Sequence, residues 1–178
     1  MLKLNRWGLN VAVAFALVTL GSVMAPGDAQ AELVNGDFSA GLDNWTTSGD
    51  VSVDAGAAIL GDTGVIVSQL YQGSDVGAGT HTLQFDFCNE LSTFEPAGGF
   101  PDFVSINIYL IDDLGSFDLD NAVYDDVVAL TNIDFNGPIG AVNGSIGPSS
   151  LGGDWQLFSV TFSSSFHYAI PTFELFGL

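Results

Sequence analysis

Past its first six residues the chain carries no lysine or arginine. Lys3 and Arg6 are the only lysine and arginine among 178 residues, against 21 Asp and Glu. Nothing is left to neutralise phosphate, so nucleic acid and an anionic membrane surface are excluded as partners. Any oxyanion or phosphate clamp would have to use backbone donors alone. Cysteine is nearly absent too. Cys88 is the single one, which rules out an intrachain disulfide. Its setting, Phe85-Asp86-Phe87-Cys88, suggests a small half-buried side chain rather than an activated thiol. Two histidines, His81 and His167, lack zinc-type spacing, and no G-x-S-x-G elbow occurs. Helical periodicity is almost missing after residue 31. These absences point away from catalysis, and the expectation is that the protein is not an enzyme.

Hydrophobic length is also limited. The apolar run Val11 to Leu20 is followed by Gly21 and Pro26, which makes it short for a membrane span. Basic Lys3 and Arg6, this run and Ala29-Gln30-Ala31 together read as a secretory signal peptide over residues 1–31. Cleavage after Ala31 leaves 147 residues, 32–178, the length of one ordinary domain. Asp28 is the only acidic residue removed, so twenty carboxylates remain with no basic residue to oppose them. The expected location is extracellular. A carboxylate-only surface favours solubility, cations or polar neutral ligands.

What the mature stretch does contain is short alternating runs set between turn residues, the pattern of an all-β protein. Glu32–Val34 reads as a first strand. Trp45–Thr47 and Val51–Asp54 read as a pair, and Ala57–Leu60 follows a hairpin turn at Asp54-Ala55-Gly56. In Val65–Tyr71, Ile66, Ser68 and Leu70 share one face. In His81–Cys88, Leu83, Phe85 and Phe87 point one way and Thr82, Gln84, Asp86 and Cys88 the other. In Val104–Leu110, Val104, Ile106, Ile108 and Leu110 face inward, leaving Ser105, Asn107 and Tyr109 opposite. Ala122–Leu130 reads as a strand, Thr131 to Gly153 as loop, Trp155–Phe162 as a strong strand. His167–Phe176 is interrupted by Pro171, which suits an edge or a bulge. About eight or nine such strands fit a two-sheet antiparallel β-sandwich.

Two segments carry a resemblance. Leu33 to Thr46, LVNGDFSAGLDNWT, is similar to the opening of jelly-roll modules with the galactose-binding-like fold, the architecture of many carbohydrate-binding modules. Gly153 to Phe162, GDWQLFSVTF, is similar to a late strand of those modules. The same opening resembles bacterial secreted PEP-CTERM proteins, whose tails an exosortase reads; no such tail is present here. The resemblance implies a jelly-roll β-sandwich with Phe38 and Trp45 in its core. It also implies a closing strand with an aspartate, which has no counterpart after Phe173-Glu174-Leu175-Phe176, so the domain is expected to be a fragment missing its last strand.

Two functions emerge as expectations. The first is non-catalytic binding of extracellular polysaccharide through aromatic faces and polar side chains. Its candidates are Tyr109 with Asn107, Trp155, Tyr71 with Gln69, and Phe100, each of which also fits a core or interface role. The second is a structural or adhesive matrix protein that engages another matrix protein, bridged by calcium. Hard cations need several oxygen ligands. Asp118 and Asp120 in the acidic run 111–128 are one candidate set, although the run lacks EF-hand spacing. The resemblance implies a second set around the first turn, where Asn35 and Asp37 match and Ser39 stands in place of a glutamate.

Overall fold

The computed structural model describes residues 12–22, 33–61, 65–91 and 102–177. Among these residues the chain is all β, with two antiparallel sheets, no α-helix and one 3-10 turn at Leu114–Ser116. The first sheet has six strands in the order β11 (Ser145–Pro148), β12 (Gln156–Ser164), β7 (Gly79–Asn89), β1 (Ala12–Ser22), β4 (Ala57–Gly61) and β3 (Asp50–Asp54). The second runs β10 (Gly137–Ile139), β9 (Asp126–Asp134), β8 (Phe103–Ile111), β13 (Tyr168–Phe176), β5 (Val67–Tyr71) and β2 (Thr46–Ser48). The short β6 (Ser74–Asp75) pairs with the start of β13.

The alternation in the sequence sets which side chains meet between the sheets. Leu60, Leu83, Phe85, Phe87 and Phe158 of the first sheet are fully buried against Leu70, Ile106, Ile108, Phe173 and Leu175 of the second. Phe85 stacks on Phe158 at 5.0 Å and meets Phe173 edge-on at 5.0 Å, which ties the two sheets. Each such ring or aliphatic side chain contributes about 1.5–3 kcal/mol by leaving water. The faces assigned to β5, β7 and β8 from alternation are the ones observed, except that Ile66, expected to share the inward face of Ser68 and Leu70, precedes β5 and is 68% exposed.

Several expected elements differ. Glu32 lies outside the described residues, and Val34 enters a turn rather than a strand. Its backbone is nevertheless paired, because the Gln72 side chain substitutes for a neighbouring strand. The Val34 N–H donates to Gln72 Oε1 at 2.7 Å, and Gln72 Nε2 donates to the Val34 carbonyl at 2.9 Å. The segments expected to pair near Trp45 and Val51 instead belong to opposite sheets. Between them Gly49 adopts φ +78, and a Cβ there would strike the Val67 carbonyl. Ser68 secures the crossing by accepting from Asp50 N at 2.8 Å and donating to the Gly61 carbonyl at 2.5 Å. The Ala55-Gly56 hairpin is as expected, with φ 50 and 79 at its two central residues.

The segment expected to be loop after Thr131 holds the end of β9, β10 and β11. Thr131 and Asn132 resemble turn residues in sequence, but Leu130 and Ile133 are buried and keep β9 on β8 through a register shift at Ile106/Asn107. Likewise β9 starts at Asp126, not Ala122. The strand carrying Pro171 is central, between β8 and β5, not an edge. Proline is accommodated because β13 changes partner there. On that side β6 pairs with Tyr168 and Ala169, and β5 with Thr172 to Phe176. Finally, Ala12–Ser22, within the apolar part of the expected leader, forms the strand joining β7 to β4. The rest of residues 1–31 lies outside the described residues.

Candidate functional site

Two grooves gather the candidate residues. The first lies on the outer face of the second sheet, under the acidic segment 112–125. Alternation puts Gln69 and Tyr71 of β5, Ile170, Thr172 and Glu174 of β13, and Ser105, Asn107 and Tyr109 of β8 on this face. The acidic segment folds back over them because of its apolar residues, not its charges. Phe117, Leu119 and Tyr124 pack on a small cluster of Tyr109, Ile111 and Ile170. Phe117 meets Tyr71 edge-on at 5.5 Å and Tyr109 at 5.9 Å, while Tyr124 lies 4.6 Å from Tyr109. Between these rings and β2 are two adjoining clefts of about 340 and 200 Å³ that share Thr46, Tyr71 and Phe117.

Asp118 and Asp120 line the smaller cleft. The structure thus brings two ligand candidates, Tyr71 and Tyr109, close to two cation candidates. The carboxylates, however, mostly hold their own loop. Asp118 accepts from Asn121 N at 3.0 Å and from Asn121 Nδ2 at 2.8 Å. Asp113 caps Gly115 N at 3.0 Å, Asp125 accepts from Asp112 N at 2.9 Å, and Asp112 accepts from His167 N at 3.1 Å. The Asp118 and Asp113 bonds are turn caps of the kind Asp side chains form with nearby backbone, the Asp125 bond ties the two ends of the segment, and the Asp112 bond reaches the distant His167. The side-chain hydrogen bond from Asn121, then its backbone N–H, lower the Asp118 pKa.

Negative potential accumulates beneath this segment. Burial, then the charges of Asp120 and Asp118, push the Tyr71 hydroxyl up. Burial, then Glu174 and Tyr124, push Tyr109 up to about 12. Glu174 is raised by burial and by Asp120, against the hydrogen bond it accepts from Gln69 Nε2 at 3.2 Å. Asn107 shares the strand face of Tyr109, and its amide donates to Ser105 Oγ at 3.0 Å.

The other metal candidates sit in the opening turn. There Asn35 is a hub: its Nδ2 donates to the carbonyls of Gly41 and Asp43, and its Oδ1 accepts from Ala40 N. Trp45 Nε1 donates to the Asn35 carbonyl at 3.0 Å, and its ring packs 5.2 Å from Phe38 inside the core. Asp37 accepts from Ser39 N and Oγ, and the first of these bonds most lowers its pKa. Among the described residues no three His, Cys, Asp or Glu side chains converge as a metal-binding group.

The second groove, about 720 Å³, opens where the last strands of the two sheets meet. Gly137 and Pro138 of β10 form one wall, Ile146, Gly147 and Pro148 of β11 the other, and Trp155 lines it with Asn136, Asp154 and Gln156. A tight turn positions the tryptophan. Gly152 and Gly153 both take positive φ, 74 and 63, so the chain reverses in four residues. The Trp155 N–H donates to the Gly152 carbonyl at 3.3 Å, and the Trp155 carbonyl accepts from Ser149 N at 3.2 Å. Asn89 also lines the groove, but its amide is engaged with Asp134 O at 2.7 Å. Cys88 is half-buried, and burial, then Glu90 and Asp154, push its thiol up, away from the reactive thiolate.

Trp155 is therefore separated from Tyr71, Tyr109 and Asn107, and Phe100 lies outside the described residues. Sequence reasoning missed Phe117, Tyr124 and Glu174 around the first groove and Asn136, Asp154 and Gln156 around the second. Apolar residues recurring within the acidic run were the one signal for the first group. The second comes from three loops whose meeting no local pattern announces. Protein-family models, curated proteins and solved structures were each compared with the chain, and none matches it.

Proposed function

We propose that the protein is an exported, non-catalytic carbohydrate-binding module of jelly-roll type, related to the sandwich modules its opening stretch resembles, and that Trp155 is its sugar platform. The observation that carries this reading is the open groove at the sheet edges, lined by one half-buried indole together with Asn136, Asp154 and Gln156. Apolar sugar faces stack on aromatic rings, and side-chain amides and carboxylates bond the equatorial hydroxyls. A volume near 720 Å³ suits a ligand of a few pyranose units. The residue types select for a neutral glycan, because no lysine or arginine follows Arg6 to hold an anionic one. The aromatic rings under residues 112–125 are a poorer platform, since they already pack on one another.

Affinity gel electrophoresis through neutral polysaccharides tests the proposal. The wild-type chain is retarded by at least one of them, Trp155→Ala removes the retardation, and Tyr71→Ala retains it. Folded wild-type protein that migrates freely through every neutral polysaccharide would overturn the reading.

A further inference from the structure

The position of β1 separates a strand from the domain that it completes. Ala12–Ser22 pairs with β7 on one side, Ala14 opposite Cys88 and Ser22 opposite His81. On the other side it pairs with β4, from Ala12 opposite Gly61 to Phe15 opposite Ala58. Among the described residues no direct pairing links β7 and β4, so the first sheet is continuous only through β1. Taking it out would leave them about 10 Å apart, two inter-strand spacings.

The flanking strands are built as interior strands. The outermost strands of both sheets are defended: β3 (DVSVD) has an aspartate at each end, β10 and β11 each contain a proline, and β2 has only three residues. By contrast β7 runs for eleven residues without proline, and β4 (AAILG) carries neither proline nor charge. Their inward side chains Leu60, Leu83, Phe85 and Phe87 are fully buried, so an empty position would wet the centre of the core. Yet the strand that fills it belongs to the stretch with the composition of a removable leader.

We propose that the position between β4 and β7 is a strand-acceptor site, and that it holds Ala12–Ser22 as a separable ligand: an uncharged extended peptide that stays bound after its covalent link to the domain is cut. The binding mode is strand addition, in which backbone hydrogen bonds supply affinity. Here it operates on both edges of the ligand over Val13 to Phe15, and on the β7 edge alone from Ala16 onward.

The full-length chain provides the test, with a specific protease site inserted between Ala25 and Pro26. It is folded first and cut afterwards. The expected result is that the N-terminal piece co-elutes with the domain on native gel filtration and separates only in denaturant. Phe15→Pro, in the doubly paired stretch, lowers the retained fraction roughly tenfold or more, because proline has no N–H to give the ladder and disrupts strand pairing. Val18→Pro, within the register shift between Ala16 and Thr19, leaves it near the parent value. The proposal is overturned if the piece separates in native buffer while the domain keeps its melting temperature. Separation followed by self-association of the domain also overturns it, since a second copy then fills the position. So does equal retention of the parent and Phe15→Pro pieces, which would mean non-specific adhesion.

Discussion

The two grooves differ in what their aromatic rings already touch. Under residues 112–125, Tyr71, Tyr109, Phe117 and Tyr124 pack on one another and on Ile111 and Ile170. At the sheet edges Trp155 lines a wide cleft whose other residues are polar side chains and glycines together with Phe135, Pro138, Ile146 and Pro148. An aromatic ring surrounded by other rings contributes to stability, while one that borders a wet cleft is available to a ligand. The same residue types therefore do different work according to what surrounds them.

Four measurements sharpen or break this contrast. The largest effect is expected for Tyr109→Ala, which removes a buried ring from the small cluster. It lowers unfolding free energy by about 2–4 kcal/mol in urea titrations, as buried large-to-small changes do. A loss below about 1 kcal/mol would show that the segment over β8 and β13 does not pack as described. Trp155→Ala comes next in the same titration. It is expected to cost less than about 1 kcal/mol, within the ordinary range for partly exposed positions, although it removes glycan retardation. A large loss of stability there would make the groove structural and the contrast void.

A smaller effect comes from Glu174. Burial first, and Asp120 next, raise its pKa above the ordinary carboxylate value, so the folded chain holds that proton more tightly than the unfolded chain does. The contribution of this group to stability is greatest at acid pH. It declines as pH rises from the ordinary glutamate value through the raised folded one. Glu174→Gln keeps an acceptor for Gln69 and removes the titration. The variant is therefore more stable than the parent at neutral pH, and the gap closes as the solution is acidified below the ordinary glutamate pKa. Thermal melts of both proteins across that window check the sign, and an unchanging gap would remove the carboxyl from the account. Asp37 and Asp118, with lowered pKa values, act oppositely and are the same in both proteins. The smallest effect is expected from calcium. With Asp118 committed to Asn121 and Asp37 to Ser39, millimolar calcium shifts the melting temperature by less than about 1 °C. A rise of several degrees would favour the calcium-bridged matrix protein instead.

Legibility in the sequence depended on the range of the interaction. The faces of β5, β7 and β8 and the Ala55-Gly56 hairpin depend on period-two alternation and on turn stereochemistry, both local. The core role of Phe38 and Trp45 was legible from the motif that contains them. The crossing at Gly49 was not, because a turn glycine looks the same whether it joins two strands of one sheet or passes to the other. Nor was the replacement of a strand partner at Val34 by the Gln72 side chain, 38 residues away. For the sites, Tyr71, Tyr109 and Trp155 stood out as aromatic residues beside polar ones. Which of them is free to bind depends on Phe117 and Tyr124, whose position is set by a loop folding back.

Composition and periodicity by themselves determined the class of molecule: an acidic all-β chain, without the basic residues that anionic partners require. These are sums and local patterns, so they survive without knowledge of neighbours. Tertiary structure alone decided the rest. It separated Trp155 from the tyrosines, folded the acidic run over the outer face of the second sheet, and put Ala12–Ser22 between β4 and β7. Which strands become neighbours depends on packing between segments far apart in the chain, and no local pattern records that.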